Sequence, residues 1–358
     1  MRRVVTQFLL LRFAGFFLFV LFALTSLLVL FDVLAHADDL SVHHQNTLWP
    51  MVYYAGLRLP VLLTMITPMS VLLAALITFE RLATQFELVA LQSAGISVYQ
   101  ICLVLLLGGA GVSALHYGVE KFFATSAEVR LLRWAERDYA GVPNREVLEP
   151  GPAWFATERY RVKIANAHDR GRQLDDAIII ENPKPGLISA YIEARQARFE
   201  NGRWTLYDGW EQSTGGGART VFKERVLDLA LVPSQVALVR LPLSVLPPPI
   251  LRTLRDQPLD PNIPAYRYET WIAHSEAAPL AALAMILLSA PLGLQLKRSG
   301  HQLRWGGLGL GAGFLFFISE RILLALAESG TVQPGLAVWS PLAFFSVTGI
   351  VTLCLLQK

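Results

Sequence analysis

The sequence has little charge and almost no cysteine. Only 16% of its 358 residues are Asp, Glu, Lys or Arg, whereas 53% are apolar, and the mean hydropathy is +0.43. Soluble domains carry about 25% charged residues, so this composition excludes an ordinary soluble enzyme, and the apolar content excludes a disordered chain. The two cysteines, Cys102 and Cys354, both lie inside hydrophobic runs, which excludes a disulfide-based scaffold.

Several motifs of catalytic and ligand-binding sites are also missing. The dipeptide Gly-Lys never occurs, so the chain has no Walker A motif and any ATP-driven work needs a partner. His43 and His44 are adjacent, and the seven histidines form no zinc-binding motif. No Gly-x-Ser-x-Gly motif indicates a serine hydrolase. The net charge of +3 is small for a nucleic-acid-binding protein. We therefore expect no cofactor, no metal and no nucleic-acid partner.

The sequence instead contains long hydrophobic runs. Six stretches are long and apolar enough to cross a membrane as helices, although Glu320 and Arg321 interrupt the fifth. The first run is too long for the apolar region of a signal peptide, so we expect it to be retained. The six predicted spans are residues 13–31, 59–79, 96–119, 277–296, 305–327 and 336–357.

Basic residues in the short flanking segments predict the orientation. On the side opposite both termini, the short loops contain only Arg58. An excess of Lys and Arg marks the cytoplasmic side, so we expect both termini in the cytoplasm. The basic residues on that side are Arg2, Arg3, Arg12, Arg81, Lys297, Arg298, Arg304 and Lys358.

Residues 120–269, between spans three and four, hold 21 of the 31 Lys+Arg and 20 of the 28 Asp+Glu. This composition predicts a soluble domain outside the cytoplasm. Its first part, 120–139, has helical composition, and Asn201-Gly202 is a strong hairpin signal. Short strand-like runs favour a sandwich or jellyroll over helices. These runs are residues 159–165, 177–181, 188–199, 203–207 and 221–232.

These boundaries divide the chain into three predicted parts. Residues 1–119 contain spans one to three and a cytoplasmic helix at about 80–95, and residues 270–358 contain spans four to six. Between them lie the β-domain core at about 145–245 and a Pro-rich strut, 246–265, that returns to the membrane.

The cytoplasmic loop at 80–95 is short, helix-prone and ended by Gly95, which suits a helix C-cap. Glu87 lies in an apolar setting between Phe86 and Leu88. One hypothesis is a short helix that docks into a groove of a cytosolic partner with one charged anchor. The alternative is an interfacial helix with a solvated glutamate, and the residues alone do not decide between them.

Together, these segments resemble the lipopolysaccharide-export permease family LptF/LptG. The resemblance covers essentially the whole chain and is most specific in the loop motif. Chain length, Phe31-Asp32 and the short C-terminus make the chain more similar to LptG than to LptF. The segments that carry the resemblance are Glu-Leu-Val-Ala-Leu-Gln-Ser-Ala-Gly at 87–95 after Pro60 and Pro68, Phe31-Asp32, the hairpin region 190–207, Tyr266 to Glu269, Pro279 and Ala290-Pro291-Leu292.

The resemblance implies an α-helical membrane protein with three plus three spans around a periplasmic β-jellyroll-like domain. It also implies the permease subunit of an ATP-driven ABC exporter in the bacterial inner membrane, which extracts lipopolysaccharide from the periplasmic leaflet. The implied partners are an LptB-like dimer of a cytosolic ATPase, an LptF-like paralogous permease, a single-span LptC-like periplasmic bridge protein and an LptA-like bridge.

The resemblance also assigns roles to residues. Glu87 becomes the contact that couples the loop helix to the ATPase, and spans one and five become lateral gates for the lipid. The expected coupling residues are Glu87, Arg81, Phe86, Leu88 and Gly95. The expected lipopolysaccharide contacts are Arg130, Arg133, Lys121 and Arg58, and the expected gate residues are Phe31, Asp32, Glu320 and Arg321.

Each role has a simpler alternative. Arg130 and Arg133 are either solvated or paired with the nearby acids Glu120, Glu128 and Glu136, and Arg58 is equally explained by snorkelling at a span end. Glu320 either pairs with Arg58 across the outer mouth or lies at the interface. The family's lysine near the outer end of span one is missing from this chain, which argues against phosphate binding by span one.

Two other classes of function stay open. One is a mechanotransmission or sensing protein, whose spans relay force from a cytosolic ATPase without moving a substrate. The other is an intramembrane lipid-modifying enzyme, which needs a nucleophile with its base or acidic metal ligands near one membrane face. Asp32, Asp38 and Asp39 form the acidic cluster that would suit it, and we interpret them as loop charges.

Overall fold

The chain folds into two compact units in a computed structural model. Unit 1 comprises Met1–Gly141 with Glu269–Lys358, and unit 2 comprises Val142–Tyr268. The paired histidines His43 and His44 and the turn residue Asn201 lie outside the described residues. The structure describes residues 2–42, 48–135, 138–140, 153–157, 159–182, 188–200, 202–214, 218–229, 231–236, 241–256, 258, 263–298 and 302–356.

Long helices dominate the N-terminal part. Two of them exceed 30 residues and so extend beyond the apolar runs that predict them. The helices are α1 Arg2–Ala35, α2 Ala37–Val42, α3 Trp49–Thr84, α4 Glu87–Ser93, α5 Val98–Val119 and α6 Thr125–Ala135, and a π-helical turn, Glu120–Ala124, joins the last two.

The remaining helices follow the β-sheet segment. Two short ones belong to that segment, and the others form the C-terminal half of the helix bundle. They are α7 Pro233–Val236, α8 Pro248–Asp256, α9 Ala265–Ala277, α10 Ala281–Arg298, α11 Gln302–Glu328 and α12 Pro334–Leu356, with a 3-10 turn, Ala278–Leu280, between α9 and α10.

The prediction of six spans is confirmed. Within the described residues, six helices are long and apolar enough to cross a membrane, so the chain is a multi-pass membrane protein. Each of the six predicted spans overlaps one of these helices. They are Arg3–Ala35, Trp49–Thr84, Val98–Ala135, Ala265–Gly293, Gly307–Glu328 and Pro334–Leu355.

The first span packs through a narrow stripe. Leu9, Phe13, Phe17 and Val20 are buried, and their spacing of three and four residues places them on one face of α1. Only 17% of the apolar window of α1 is buried, against 61% for α3. Most of the α1 surface is therefore not covered by the rest of the chain, whereas α3 lies in the centre of the bundle.

Glycines allow the central helices to approach each other closely. A Cβ on Gly293 of α10 would lie 2.4 Å from the Cβ of Phe79, and one on Gly349 of α12 would lie 2.4 Å from the carbonyl oxygen of Leu287. Small residues at such positions are typical of membrane helix packing. Here they join α10 to α3 and to α12.

The predicted inserted β-domain is confirmed as an antiparallel sheet. Its seven described strands lie in the order β1-β2-β4-β5-β6-β7, and β3 pairs with β4. Gly202 has a left-handed φ of +80° in the tight turn that pairs Glu200 with Arg203, as the hairpin signal predicts. The strands are β1 Ala153–Ala156, β2 Tyr160–Ile164, β3 Asn166–His168, β4 Gln173–Glu181, β5 Ala190–Glu200, β6 Arg203–Ser213 and β7 Thr220–Leu227.

The regular pairing of β4, β5 and β6 is interrupted at one position in each strand. Asp176 in β4 and Asp208 in β6 both have φ of 49°, and the register of both pairs skips Arg195 in β5 between them. Aspartate tolerates the left-handed conformation better than most residues. A Cβ on the next residue, Gly209, would lie 2.3 Å from the Glu193 carbonyl oxygen, so the strands approach closely there.

Candidate functional site

The candidate site at residues 80–95 is a short helix held between two sharp turns. Phe86 precedes α4 with a left-handed φ of 57°, which is uncommon for a non-glycine residue. Gly95 follows α4 with φ of 81°, and its N–H donates to the Gln92 carbonyl at 2.9 Å. Ser97 and Gln100 then form a capping box that begins α5. The chain therefore fixes the direction of α4 at both ends.

Burial separates the predicted coupling residues. Leu88 is 4% exposed and packs into the helix core, whereas Phe86 is 72% exposed. Arg81 and Gly95 are also exposed. An exposed aromatic ring on a residue with a strained backbone is a feature that folding alone does not favour. Leu88 thus anchors α4, and Phe86 presents a ring to the surroundings.

Glu87 forms an ion pair that the sequence did not predict. Arg12 of α1 donates from Nη1 to Glu87 Oε2 and from Nη2 to Gln85 Oε1. The guanidinium also lies 5.5 Å from the ring centroid of Phe8, a cation–π distance. In the sequence, Arg12 stands directly before the first apolar run, and this position indicates the orientation of span one but not a partner.

A second polar contact of α1 lies near its C-terminal end and joins it to the N-terminal part of α3. Asp32 Oδ2 accepts a hydrogen bond from Arg58 Nε at 2.9 Å and one from the Tyr54 hydroxyl at 2.9 Å. That hydroxyl also lies 3.2 Å from His36 Nδ1. Of the two alternatives for Glu320, pairing with Arg58 is not the one observed, because Arg58 pairs with Asp32 and Glu320 lies beside His274.

This pairing determines what Arg58 can bind. Its side chain is 29% exposed and that of Asp32 is 19% exposed, and Glu128 of α6 lies within electrostatic range of Arg58. Its positive charge is thus balanced by carboxylates of the same chain. Asp32 engages Nε of the guanidinium, so a phosphate that binds Arg58 through its other N–H groups would lie beside a carboxylate.

An aromatic cluster fixes α6 to α3 beside Asp32. Trp134 packs edge-on against Tyr53 and Tyr139, with ring centroids 5.5 and 5.3 Å apart. Tyr139 also lies 6.4 Å from the His36 ring. Burial raises the pKa of the Tyr139 phenol, and the carboxylates of Asp39 and Asp32 act in the same direction. Tyr139 therefore stays a neutral donor at physiological pH.

The other predicted lipopolysaccharide contacts lie along the continuation of α5 through the π-helical turn and α6. Arg130 is exposed on α6 and Arg133, one turn later, is half-buried. Lys121 is exposed, with Nζ 5.6 and 5.7 Å from the rings of Tyr117 and Phe122. The exposure of Arg130 fits the alternative in which it is solvated. Glu120, one of the acids considered as a partner of the two arginines, lies 3.5 Å from His116 Nε2.

The predicted gate residues lie on two different helices. Phe31 is 59% exposed at the end of α1. On α11, Glu320 Oε1 lies 3.5 Å from His274 Nε2 of α9, whereas Arg321 is exposed. Adjacent helical residues point in different directions, so Glu320 faces a neighbouring span and Arg321 faces outwards.

An apolar groove lies between the C-terminal half of α1 and the N-terminal part of α3. Its volume is about 690 Å³, and Thr25 and Ser26 are its polar lining residues. Thr25 Oγ1 is buried, and no hydrogen-bond partner is found for it among the described residues. The groove can hold hydrocarbon, because the other lining residues are apolar: Leu18, Leu21, Phe22, Val29, Leu30, Val33, Met51, Val52, Ala55, Leu59 and Leu63.

Comparison with protein-family models identifies the family to which the chain is similar. The family model described as lipopolysaccharide export system permease LptF/LptG matches residues 7–354, which include the six spans and the inserted sheet. No curated protein sequence matches the chain.

Proposed function

The chain belongs to the lipopolysaccharide export permease family LptF/LptG, and from this membership we propose that it is a permease subunit of an ATP-driven ABC exporter. The exporter extracts lipopolysaccharide from the periplasmic leaflet of the inner membrane and passes it to a periplasmic bridge. The observation that carries the proposal is the extent of the family match. It covers the inserted sheet as well as the spans, so it does not rest on hydrophobicity alone.

The energy for transport comes from a cytosolic ATPase partner, an LptB-like dimer that docks at α4. Two features support this assignment. The chain has no Walker A motif of its own, and α4 presents the exposed Phe86 ring beside the Glu87 carboxylate. An apolar anchor next to a charged one suits docking into a groove.

The remaining partners follow from the proposed orientation. The excess of basic residues in the flanks supports a cytoplasmic position for α4 and both termini, and in this orientation the β-sheet belongs to the periplasm. There it passes lipid to an LptC-like bridge protein and an LptA-like bridge, and an LptF-like paralogue completes the membrane pair. The family model covers both branches, so the preference for LptG over LptF stays a prediction.

The lipid is proposed to enter beside α1. The groove between α1 and α3 has room for acyl chains, and the exposed cations Arg130 and Lys121 suit the phosphates of the headgroup. Arg133 on the same helix adds a third cation. In this proposal α1 and α11 act as lateral gates, with Phe31, Asp32, Glu320 and Arg321 at their outer parts.

The test is a tagged purification from detergent followed by reconstitution with photo-crosslinkable lipopolysaccharide. We expect a cytosolic ATPase and a second six-span subunit to co-purify, and lipopolysaccharide to crosslink within the spans and leave the membrane upon ATP hydrolysis. A folded protein that elutes without an ATPase would contradict the proposal. ATPase activity without a crosslink inside the spans would instead favour mechanotransmission, and chemical conversion of the lipid would favour the enzyme class.

A further inference from the structure

Arg12 connects α4 to α1 through two acceptors. Its guanidinium donates to Glu87 at the first residue of α4 and to Gln85 in the turn before it. Both donors belong to one rigid planar group, so the contact fixes orientation as well as distance. A displacement of the start of α4 therefore pulls on this point of α1.

The position of Arg12 makes this contact costly to lose. Its side chain is only 17% exposed and that of Glu87 is 34% exposed. Arg12 directly precedes the apolar run of span one. A guanidinium at the edge of the hydrocarbon needs a partner, and the ring of Phe8 covers one of its faces.

The geometry also leaves room for a second partner of Glu87. Among the described residues, the contact with Arg12 engages Oε2 of the carboxylate. A carboxylate accepts several hydrogen bonds on its two oxygens, so Oε1 is available to a cationic group of the ATPase. Arg12 and the ATPase can therefore hold Glu87 together.

The surface of α1 is packed on one side only. Leu9, Phe13 and Phe17 lie in the core that α1 shares with α3, whereas only 17% of its apolar window is buried. A force applied at Arg12 thus acts on a helix that has one packed face and otherwise little burial within the chain.

We propose that Arg12 is a positioning residue that links α4 to α1, so that the ATPase moves the proposed gate helix by moving α4. The effect on transport rests on the proposed function, whereas the contact of Arg12 with Glu87 and Gln85 is present in the chain by itself. Arg12 acts through Glu87 and Gln85, and it contacts neither the lipid nor ATP.

The functional test compares Arg12→Gln and Arg12→Lys with Arg3→Gln in the reconstituted complex. Arg3 is a matched control, since it is an exposed arginine on the same helix. We expect Arg12→Gln to keep ATP hydrolysis within about twofold while lipopolysaccharide released per ATP falls about tenfold, the factor expected from one charge-assisted hydrogen bond. Arg12→Lys should recover part of this ratio, and Arg3→Gln should leave it unchanged.

A spectroscopic test measures the link directly. Spin labels at Val4→Cys and Ser93→Cys, both exposed, report the distance between α1 and α4. The background is Cys354→Ser, because Cys354 is exposed whereas Cys102 is buried. We expect a narrow distance distribution that nucleotide does not change in the parent, and a broader distribution in Arg12→Gln even without nucleotide.

The two tests separate the two proposals. No ATP-dependent release of lipopolysaccharide by the parent complex would contradict the proposed function, while the label distances would still report on the link. An unchanged ratio and an unchanged distribution in Arg12→Gln would overturn the role of Arg12. If Arg12→Gln fails to assemble, Gln85→Leu removes half of the contact, and its ratio must fall in the same direction or the role is again overturned.

Discussion

At the scale of single residues, α1 forms two ion pairs with other helices, one on each side of its apolar run. Arg12 and Asp32 are 20 positions apart in the sequence, which corresponds to about 30 Å along a helix and to the thickness of the hydrocarbon core. Each pairs with another helix, Arg12 with Glu87 and Asp32 with Arg58. Between them Phe13 and Phe17 of α1 pack into the apolar core of the bundle.

The charge of Glu87 should determine how strongly the ATPase binds. Replacing Glu87 with Gln removes the charge and keeps the shape, and loss of a hydrogen bond to a charged group should weaken ATPase binding about tenfold or more. Glu87→Arg should be more severe, because it places a second cation beside Arg12. The measurement is the amount of ATPase recovered with the tagged protein over a dilution series.

The control for this prediction is Gln92→Ala, an exposed neutral position on the same short helix. It should leave ATPase recovery unchanged. Equal recovery with Glu87→Gln and the parent protein would show that Glu87 serves only its pair with Arg12.

The pair between Asp32 and Arg58 should stabilise the bundle. Asp32→Asn leaves the arginine without its carboxylate in a partly buried site, and we expect a loss of about 1–3 kcal/mol, seen as a lower melting temperature in detergent. The double variant with Arg58→Gln should recover part of the loss, since it removes the uncompensated charge. Asp38→Asn, an exposed acid on α2, is the matched control, and a similar drop there would argue against the pair.

At the scale of elements, the turn after α4 depends on one glycine. Gly95 has φ of +81° and open space around its Cα, so Gly95→Ala adds no clash but forces a left-handed backbone on a residue with a side chain. We expect a cost of about 1 kcal/mol, seen as faster hydrogen exchange of the α4 amides.

Gly111→Ala provides the comparison, because Gly111 also has open space but lies inside α5. That change should be neutral or slightly stabilising, since alanine favours a helix interior. Equal exchange rates in the two variants would mean that the conformation at Gly95 does not hold α4 in place.

The elements differ in how far the sequence could predict them. Long apolar runs predicted six spans because a membrane-crossing helix needs a continuous hydrophobic stretch. The runs could not predict that α1 and α3 continue beyond the hydrocarbon as α-helices, because the extensions carry polar residues. Asn201-Gly202 predicted the hairpin of β5 and β6, whereas the pairing of β2 with β4 joins strands that are not consecutive and has no local signal.

The candidate site shows the same difference between local and distant information. The helix at α4 and its glycine end could be predicted from adjacent residues. The partner of Glu87 could not, because Arg12 lies 75 positions earlier and the choice among several basic residues depends on how α1 packs against α3. The choice between the two alternatives for Glu320 could not be predicted for the same reason, since hydropathy does not determine which faces of two spans meet.

At the scale of the whole molecule, α9 and α11 are joined by two polar contacts. Trp271 Nε1 donates to Glu328 Oε1 at 2.6 Å, and one turn later on α9 His274 lies 3.5 Å from Glu320. The rings of Trp271 and His274 also pack edge-on, 5.3 Å apart. The tryptophan contact can hold the two helices together if the histidine contact is lost.

This redundancy makes Glu320 a sharp test of the proposed gate. Glu320→Ala should reduce lipopolysaccharide transport several-fold, because it removes a charged group between two spans without exposing a cavity large enough to disrupt packing. Assembly with the ATPase and the melting temperature should change little, since the contact between Trp271 and Glu328 remains. The measurements are ATP-dependent lipopolysaccharide release and recovery of the complex, with Arg321→Ala as the control.

The control distinguishes position from charge, because Arg321 is the next residue of α11 but is exposed. If both variants transport normally, Glu320 is an interfacial charge and the gate hypothesis is wrong. If Glu320→Ala also fails to assemble, the contact with His274 is structural, because the second contact would then be too weak to hold α9 against α11. Loss of transport with intact assembly, for Glu320→Ala and not for Arg321→Ala, is the result that assigns α11 a part in opening the path of the lipid.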